Sequence, residues 1–231
     1  MSDLRIALVA EGPTDSIVIE AALKAILSKP FVLTLLQPEE TRPTIGRGWG
    51  GVLRWCFEFA KRGLPKIEDD PMLPGFDLFV IHVDADVAEC AYADLSAEIA
   101  VAAGERGYPP LPCVVPCPPP TNSVDQMRNC LQKWLSVVAP GPKTVFCVPS
   151  KSIDAWLASA VLDSGHALLP GIECNLNLAA QLEALPVRLR VKKTTLQYRT
   201  RSAKVTASWN SVRQRCSQAE RFSNDVLSVP L

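Results

Sequence analysis

Short apolar runs that alternate with helix-forming segments constrain the fold more than any other feature of this chain. The clearest run, Phe76–Val83, reads FDLFVIHV, which is typical of a strand buried on both faces. Similar runs at Leu4–Ala10, Phe31–Leu36, Leu111–Val115 and Thr144–Val148 predict four further strands. Neighbouring parallel strands need crossover connections of about a dozen residues, and the intervening segments are long enough to supply them.

The segments between these runs have the composition and the apolar spacing of helices. They are Ser16–Leu27, Gly51–Lys61, Val87–Ala103, Ser123–Val138 and Ser152–Val161. A succession of this kind predicts an α/β fold with a doubly wound, mainly parallel sheet and helices on both faces. We expect this domain to cover residues 1–163.

The C-terminal region, residues 164–231, has a different character. Its apolar spacing over Ser202–Leu227 predicts one or two amphipathic helices, and no strand pattern is present. The whole chain balances 24 basic against 24 acidic residues, yet nine bases face the single acid Glu220 between Pro186 and Glu220. We therefore predict a basic, mainly helical extension packed on the first domain, with a polyanionic partner.

The cysteines and the apolar runs indicate a cellular setting. The chain passes from Met1 directly into the first apolar run, without a charged leader and cleavage site, which predicts a reducing, cytoplasmic location. We read the eight cysteines mainly as small buried apolar residues, because only two histidines accompany them and no zinc-type cluster assembles. The apolar runs are too short to span a bilayer, so no membrane partner is expected.

Acidic residues follow two of the predicted strands. Glu11 ends the first strand, and Asp84 and Asp86 end the run at Phe76–Val83. Carboxyl ends of parallel strands form the working edge of such a sheet, at the point where the strand order reverses. Oxygen ligands without a histidine cluster favour Mg²⁺ or Mn²⁺, and magnesium completes its shell with phosphate oxygens. The pattern predicts a divalent-metal site for phosphodiester or nucleotide chemistry.

Each acid also has a purely structural interpretation. Asp86 and Glu89 fit a capping box, so Asp86 could simply cap the next helix. Asp15 fits a first-turn acid favoured by the helix dipole, and His82 fits a satisfied core histidine. Glu11 is harder to explain in this way, because glutamate is depleted in strands and is not a preferred N-cap residue.

These residues carry a family resemblance. Glu11-Gly12-Pro13-Thr14-Asp15 after the first strand, with Asp84-Ala85-Asp86 after a later one, resembles the Toprim domain of topoisomerases, primases, recombination mediators and overcoming-lysogenization-defect (OLD) nucleases. The resemblance covers about residues 4 to 161 and implies a Rossmann-like fold. It also implies that Glu11 acts as general base or acid and that Asp84 and Asp86 bind magnesium.

A second segment adds to the resemblance. Pro149–Leu157 is similar to the acid-Ala-Trp-Leu helix start of small stand-alone, OLD-like Toprim proteins of bacterial defence loci. This implies a metal-binding role for Asp154 and a role in antiviral defence. Those relatives usually carry glutamate at that position, so ligation through water or a simple helix-terminal role is open as well. We expect Trp156 in the core.

Phosphate must be drawn towards carboxylates that repel it, which calls for separate cations. Our candidates for binding phosphate or nucleic acid are Arg47, Lys151, Lys192 and Lys193. Gly46–Gly51 formally matches the dinucleotide fingerprint G-x-G-x-x-G, but the polar stretch before it is not a strand. A plain glycine turn and a solvated basic helix face are the alternatives.

Together these features predict a Mg²⁺- or Mn²⁺-dependent phosphodiesterase, specifically a Toprim-type nuclease acting on DNA or RNA. Its catalytic residues would be Glu11, Asp84 and Asp86. The alternative is a non-catalytic Toprim-fold module that binds nucleic acid or regulates an ATPase partner protein, and homo-oligomers fit either case. Transfer or hydrolysis of a free nucleotide is a third hypothesis for the function.

Overall fold

The computed structural model describes residues 3–38 and 46–231 of the chain. In this part of the chain a single sheet of four strands has the order β2-β1-β3-β4, and every neighbouring pair is parallel. The strands are β1 (Leu4–Val9), β2 (Phe31–Gln37), β3 (Leu78–His82) and β4 (Thr144–Cys147). The predicted parallel sheet is confirmed, and four of the five predicted strands are present.

The described residues form nine α-helices. These are α1 (Pro13–Ile26), α2 (Gly48–Ala60), α3 (Ala97–Glu105), α4 (Thr121–Trp134), α5 (Asp154–Val161), α6 (Leu178–Ala184), α7 (Thr195–Ala207), α8 (Trp209–Arg215) and α9 (Ser217–Leu227). None of them combines the length and the apolar character that a bilayer-spanning helix needs.

The side chains of β1 alternate between two apolar cores, which is the physical signature of a doubly wound sheet. Ile6 and Leu8 face a core shared with α1, α5 and the C-terminal helices. Ala7 and Val9 face a second core shared with α2 and α4. Because both faces are covered, the strand reads as a continuous apolar run, and the predicted fold class is confirmed.

The C-terminal region builds much of the first core. Trp209 of α8 lies edge-on against Trp156 of α5, with ring centroids 5.4 Å apart, and its indole N–H donates to Ser223 Oγ at 3.0 Å. Thr206 of α7 donates its hydroxyl to the Ala21 carbonyl of α1 at 2.8 Å. The predicted boundary at residue 163 therefore precedes a helical region that shares an apolar core with the sheet, and Trp156 is fully buried as expected.

Leu111–Val115 does not form a strand, so that prediction was wrong. Its backbone hydrogen bonds go elsewhere: the Cys113 amide donates to the Ala88 carbonyl at 2.8 Å, and Ser123 Oγ bonds both the amide and the carbonyl of Val115. Pro112 has no amide hydrogen to contribute to a ladder. Leu111 and Cys113 pack on the second core without strand pairing, and Val114 is 46% exposed.

The predicted helix Val87–Ala103 is also different in the structure. The chain first makes two short 3₁₀ turns, Ala85–Glu89 and Tyr92–Asp94, and α3 begins only at Ala97. Local side chains explain the late start, because Asp94 accepts the Ala91 amide at 2.7 Å and Ser96 accepts the Ile99 amide as the N-cap of α3. Such bonds compete with a continuous helix.

Two of the eight cysteines behave differently from the expectation of buried apolar residues. Cys117 and Cys174, which are 57 residues apart, form a disulfide that joins the proline-rich loop to the C-terminal region. Four others, Cys56, Cys130, Cys147 and Cys216, are free and buried as expected. Cysteine spacing alone does not define a pairing, so the sequence could not show this bond.

We expect Trp209→Ala to destabilise the whole protein and not only the C-terminal helices, because Trp209 is 3% exposed and lies in the core shared with the sheet. The loss in the free energy of unfolding should be about 3–5 kcal/mol. Urea unfolding followed by circular dichroism measures it. Leu196→Ala is the control, since Leu196 is 70% exposed and its loss should change stability by less than about 0.5 kcal/mol. A tryptophan variant as stable as the control would contradict a shared core.

Candidate functional site

The carboxyl ends of β1 and β3 form the crevice where the strand order reverses. Strand β2 lies next to β1 on one side, and β3 and then β4 lie on the other side of β1. Glu11 follows β1 and Asp84 follows β3, and Glu11 Oε1 accepts the Asp84 backbone amide at 2.8 Å. Residues 73 positions apart in the chain are thus brought together, as ligand sites in open α/β sheets require.

Asp84 is held rigidly between the loops that follow β3 and β4. Its Oδ1 accepts the Ile153 amide at 2.9 Å and lies 3.3 Å from His82 Nε2. The Ala85 amide donates to the Pro149 carbonyl at 3.0 Å, which ties the two loops together. His82 is therefore a fully buried core residue and also a neighbour of the Asp84 carboxylate.

Asp86 lies in the 3₁₀ turn after Asp84 and does not act as a helix cap. Among the described residues its carboxylate has no hydrogen-bond or ion-pair partner, and the turn has no side-chain cap. Glu89, the other half of the expected capping box, instead pairs with Lys151 at 2.6 Å. The capping-box interpretation was wrong, and Asp86 is left as a carboxylate without a local structural partner.

Asp15 also belongs to this cluster, although its sequence position predicts only a first-turn acid. It lies in the first turn of α1 and is 4% exposed. The charges of Asp84 and Asp154 act on it. The sequence feature that could have predicted this placement is the position of Asp15, four residues after Glu11. Helix α1 starts at Pro13, so its first turn lies close to the end of β1.

Asp154, at the start of α5, is almost completely buried and both of its oxygens have protein partners. Oδ1 accepts the hydroxyl of Tyr198 in a short hydrogen bond, and Oδ2 accepts from Ser152 Oγ at 2.8 Å and from Lys193 Nζ at 3.2 Å. Direct metal ligation by Asp154 stays a prediction. The contacts that are present instead make Asp154 the anchor of Lys193. The sequence indicates Tyr198 only as an aromatic residue within the basic segment, and not as a partner of Asp154.

The four predicted phosphate-binding residues occupy different environments. Lys151 is 5% exposed and paired with Glu89, and Lys193 is paired with Asp154. Lys192 is exposed, one residue before Lys193, and Arg47 is exposed at the N-cap of α2. Only Lys151 and Lys193 thus lie within the carboxylate cluster, while Arg47 and Lys192 are free to point to solvent. Phosphate binding by all four stays a prediction.

Burial and mutual repulsion raise the pKa values of the clustered acids. Desolvation is the main cause for each, and neighbouring carboxylates add to it. The pKa of Asp84 and that of Asp86 rise to about 7, the pKa of Asp15 rises to about 6, and the pKa of Glu11 is raised well above its usual range. Burial lowers the pKa of His82 to about 4, so its imidazole is neutral at pH 7. The cluster resists full ionisation unless positive charge is supplied.

Carboxylate oxygens dominate the donor set of the cluster. Six carboxyl groups of described residues contribute to the cluster against two lysine ammonium groups; they belong to Glu11, Asp15, Asp84, Asp86, Glu89 and Asp154. The donor type and the charge fit a hard cation. Within residues 3–38 and 46–231, however, no three acidic, histidine or cysteine side chains form a ready cage. Magnesium keeps several waters and needs only one or two carboxylates, so an open site suffices for it.

The glycine-rich loop packs beside Glu11. The Gly48 amide donates to the Glu11 carbonyl at 2.8 Å, and Gly46 and Gly48 have φ values of +86° and +68°, which favour glycine. A Cβ on Gly51 would lie 2.8 Å from the backbone carbonyl oxygen of Gly46, so a larger residue would displace the loop. The loop thus places the N-terminus of α2 at the edge of the crevice, and its glycines are explained by backbone geometry without a dinucleotide.

We expect Asp86→Asn to stabilise the metal-free protein at high pH. In the unfolded chain Asp86 ionises near its usual pKa of 3.8, whereas in the folded protein its pKa is about 7. The folded state therefore holds the proton more tightly, and stability falls as the pH rises from about 4 to 7 and stays low above that. Because Asp86 is partly exposed, solvent reduces the gain to about 1 kcal/mol at pH 8.

Thermal unfolding in EDTA at pH 8 and pH 4 measures this difference. The gain should be much smaller at pH 4, because the folded state holds the proton there and the unfolded state, with its usual pKa of 3.8, is already close to half protonated. The contribution of His82 is common to both proteins. Asp163→Asn is the matched control, because Asp163 is exposed and lies outside the cluster. A gain that is the same at both pH values would contradict the repulsion.

Comparisons with protein-family models, with curated proteins and with solved structures give no match to this chain. The Toprim resemblance therefore stays a prediction that rests on the residues quoted for it.

Proposed function

We propose that this protein is a Mg²⁺- or Mn²⁺-dependent nuclease of the Toprim type. The observation that carries the proposal is the hydrogen bond between the Glu11 carboxylate and the Asp84 amide, because it gathers the acids of two strand ends in one crevice. Buried carboxylates without a structural task are costly, and a functional site is the usual reason for keeping them.

The proposed cation site uses Asp84 and Asp86, with Glu11 beside them. A divalent cation bound there would supply a Lewis acid for a phosphoryl oxygen and would lower the pKa of a bound water. Asp86 is suited to this role because it has no other partner among the described residues. Asp84 is suited because Ile153 and His82 fix the orientation of its carboxylate.

Glu11 has the properties of a proton-transfer group. Burial and the neighbouring Asp84 raise the pKa of Glu11 well above its usual range, so its carboxyl group holds a proton more readily than an exposed glutamate does, which suits a group that transfers protons. The Asp84 amide orients one carboxylate oxygen. The second oxygen is the one that we assign to the bound water or the leaving group.

The exposed cations would guide the phosphate backbone to the crevice. Arg47 stands at the N-cap of α2 beside Glu11, and Lys192 precedes the lysine that reaches Asp154. They lie on different segments near the carboxylates, so a nucleic-acid strand could contact both and still reach the cation. DNA and RNA both fit this arrangement, since backbone contacts carry no sequence information.

The alternative of a non-catalytic module is favoured by one observation, the lack of a ready metal cage among the described residues. In that case the protein would bind nucleic acid, or would regulate an ATPase partner, through the same basic residues. The defence role, the ATPase partner and the homo-oligomer are supported only by the family resemblance.

Glu11→Gln and Asp84→Asn should each abolish cleavage of DNA or RNA, with a loss of at least about 100-fold, because each removes a charge that the reaction needs. The melting temperature of the metal-free variants should not fall, since the repulsion is reduced. Nicking of plasmid DNA and cleavage of labelled RNA with Mg²⁺ or Mn²⁺ measure activity. Asp163→Asn serves as control and should cut normally.

Cleavage that persists unchanged in both variants would contradict the assignment of the site. If the wild-type protein binds nucleic acid but never cleaves it, and no metal raises its melting temperature, the non-catalytic module is the correct function.

Lys192→Ala and Arg47→Ala should weaken nucleic-acid binding without changing the rate at saturating substrate. Each lost phosphate contact should reduce the slope of log affinity against log salt by about one. Fluorescence anisotropy with a labelled oligonucleotide at several salt concentrations measures this slope. Lys61→Ala is the matched control, because Lys61 lies at the opposite end of α2 and pairs with Glu58. Equal slopes in all four proteins would contradict the proposed path.

A further inference from the structure

A cavity of about 530 Å³ lies between the proline-rich loop and the loop that follows α5. Pro118 and Pro120 form part of one wall, and Leu169 and Ile172, both buried, supply apolar surface from the other. Cavities of this size hold small molecules. The described residues that line it include none of the acids of the crevice, so the cavity is a separate site.

The Cys117–Cys174 disulfide ties the two walls of this cavity together. Cys174 itself lines the cavity, and Pro118 directly follows Cys117 in the opposite wall. Both half-cystines are half-buried, not enclosed in either apolar core. A small molecule in the cavity would therefore contact Cys174 in the folded protein.

The sulfur of Cys117 has a hydrogen-bond donor beside it. Ser150 Oγ lies 4.0 Å from Cys117 Sγ, and the hydroxyl is the donor because a disulfide sulfur carries no hydrogen. Ser150 is 3% exposed, so little water competes for this contact. A donor stabilises a thiolate, and a more stable thiolate leaves a disulfide faster. Cys117 is thus suited to be the leaving sulfur when a thiolate attacks Cys174.

Two nitrogen donors at the cavity suit a carboxylate. Arg215 donates through Nη1 to the Ser159 carbonyl at 3.3 Å, and no carboxylate of the described residues pairs with its guanidinium group. The Leu168 amide donates to His166 Nδ1 at 3.2 Å, which leaves the proton of the neutral ring on Nε2. Both groups can therefore donate to an anionic ligand.

Glu173 also lines the cavity, but its carboxylate is engaged elsewhere. Oε2 accepts the amide and the hydroxyl of Ser217, each at 2.8 Å, and Oε1 accepts the Gln218 amide at 3.0 Å. These donors belong to the first turn of α9, where the helix dipole stabilises a negative charge. Arg215 is left as the charge that a ligand in the cavity can use.

We propose that this cavity binds a small thiol that carries a carboxylate, and that the bound thiolate cleaves the Cys117–Cys174 disulfide by exchange. The carboxylate lies against Arg215, and the thiolate attacks the sulfur of Cys174. A new S–S bond forms between the ligand and Cys174, and the old bond breaks with its electron pair on Cys117.

A second thiolate then attacks the ligand sulfur of the mixed disulfide, which releases the ligand as its own disulfide and leaves two reduced cysteines. Two ligand thiols are thereby oxidised, one protein disulfide is reduced, and the two thiol protons pass through solvent to Cys117 and Cys174. None of these residues belongs to the proposed metal site, so this inference does not depend on the proposed function.

The test is the rate at which native, full-length protein loses the disulfide at pH 7.5 with three thiols, after its free cysteines have been blocked with N-ethylmaleimide. Alkylation of the released cysteines, followed by mass spectrometry, gives the rate per thiolate, and the urea-unfolded protein corrects for intrinsic reactivity. We expect anionic 3-mercaptopropionate to react about 5-fold faster than neutral 2-mercaptoethanol, because Arg215 attracts its carboxylate. Cationic cysteamine should react more slowly than both.

Variants on α8 assign this preference to one residue. Arg215→Gln should abolish it, and Arg215→Lys should keep it because the charge is retained. Arg213→Gln is the matched control, since Arg213 lies on the same helix but pairs with Glu220. Circular dichroism checks that each variant is folded, and the order of the three thiols in the wild-type protein tests the preference even if Arg215→Gln folds poorly.

The position of the first adduct tests the direction of attack. After brief exposure to 3-mercaptopropionate and quenching with acid, peptide mapping should find the ligand on Cys174 and a free thiol at Cys117. Ser150→Ala should slow the reaction of all three thiols about 3-fold without changing their order, because the leaving thiolate loses a hydrogen bond.

Equal corrected rates for the three thiols, or a preference that persists in folded Arg215→Gln, would overturn the binding site. An adduct on Cys117, or unchanged rates in Ser150→Ala, would overturn the assigned direction of attack. A disulfide that no thiol reduces until the protein is unfolded would be purely structural, which would overturn the whole inference.

Discussion

The repulsion among carboxylates at the ends of β1 and β3 is the constraint on which the rest of this structure depends. Glu11 and Asp84 are brought together by a backbone hydrogen bond and not by an ion pair, and the charge of Lys193 offsets only part of the repulsion at Asp84. The raised pKa values of these acids express the cost of that arrangement. The sheet can maintain it because two apolar cores fix the strand ends independently of the site.

The C-terminal region connects this constraint to the stability of the protein. It covers one face of the sheet through residues such as Trp209, and it also brings Tyr198 and Lys193 to Asp154. A single helix, α7, thus contributes both to the core and to the site. The basic composition of the region is explained only in part by exposed cations, because some of its charges are paired within the molecule, as Arg213 is with Glu220.

Much of the fold could be predicted because continuous apolar runs are a strong local signal for strands buried on both faces. This signal was misleading at Leu111–Val115, which has the same apolar composition but forms no strand-to-strand hydrogen bonds. Leu111 and Cys113 pack on the second core, and the Val115 amide bonds a serine side chain. The apolar pattern also failed after Asp84, because the hydrogen bonds of Asp94 and Ser96 delay the helix until Ala97. In both places local side-chain and backbone bonds outweighed an apolar pattern that is correct on average.

The sequence by itself determined the α/β class and the acids of the crevice, since strand ends of a parallel sheet meet at one edge wherever the strands lie. Only the tertiary structure decided that Asp15 turns into the cluster, that Lys193 is tied to Asp154, and that Cys117 pairs with Cys174. The last two contacts join segments 39 and 57 residues apart. No local pattern encodes them, because they depend on how the C-terminal helices pack against the sheet.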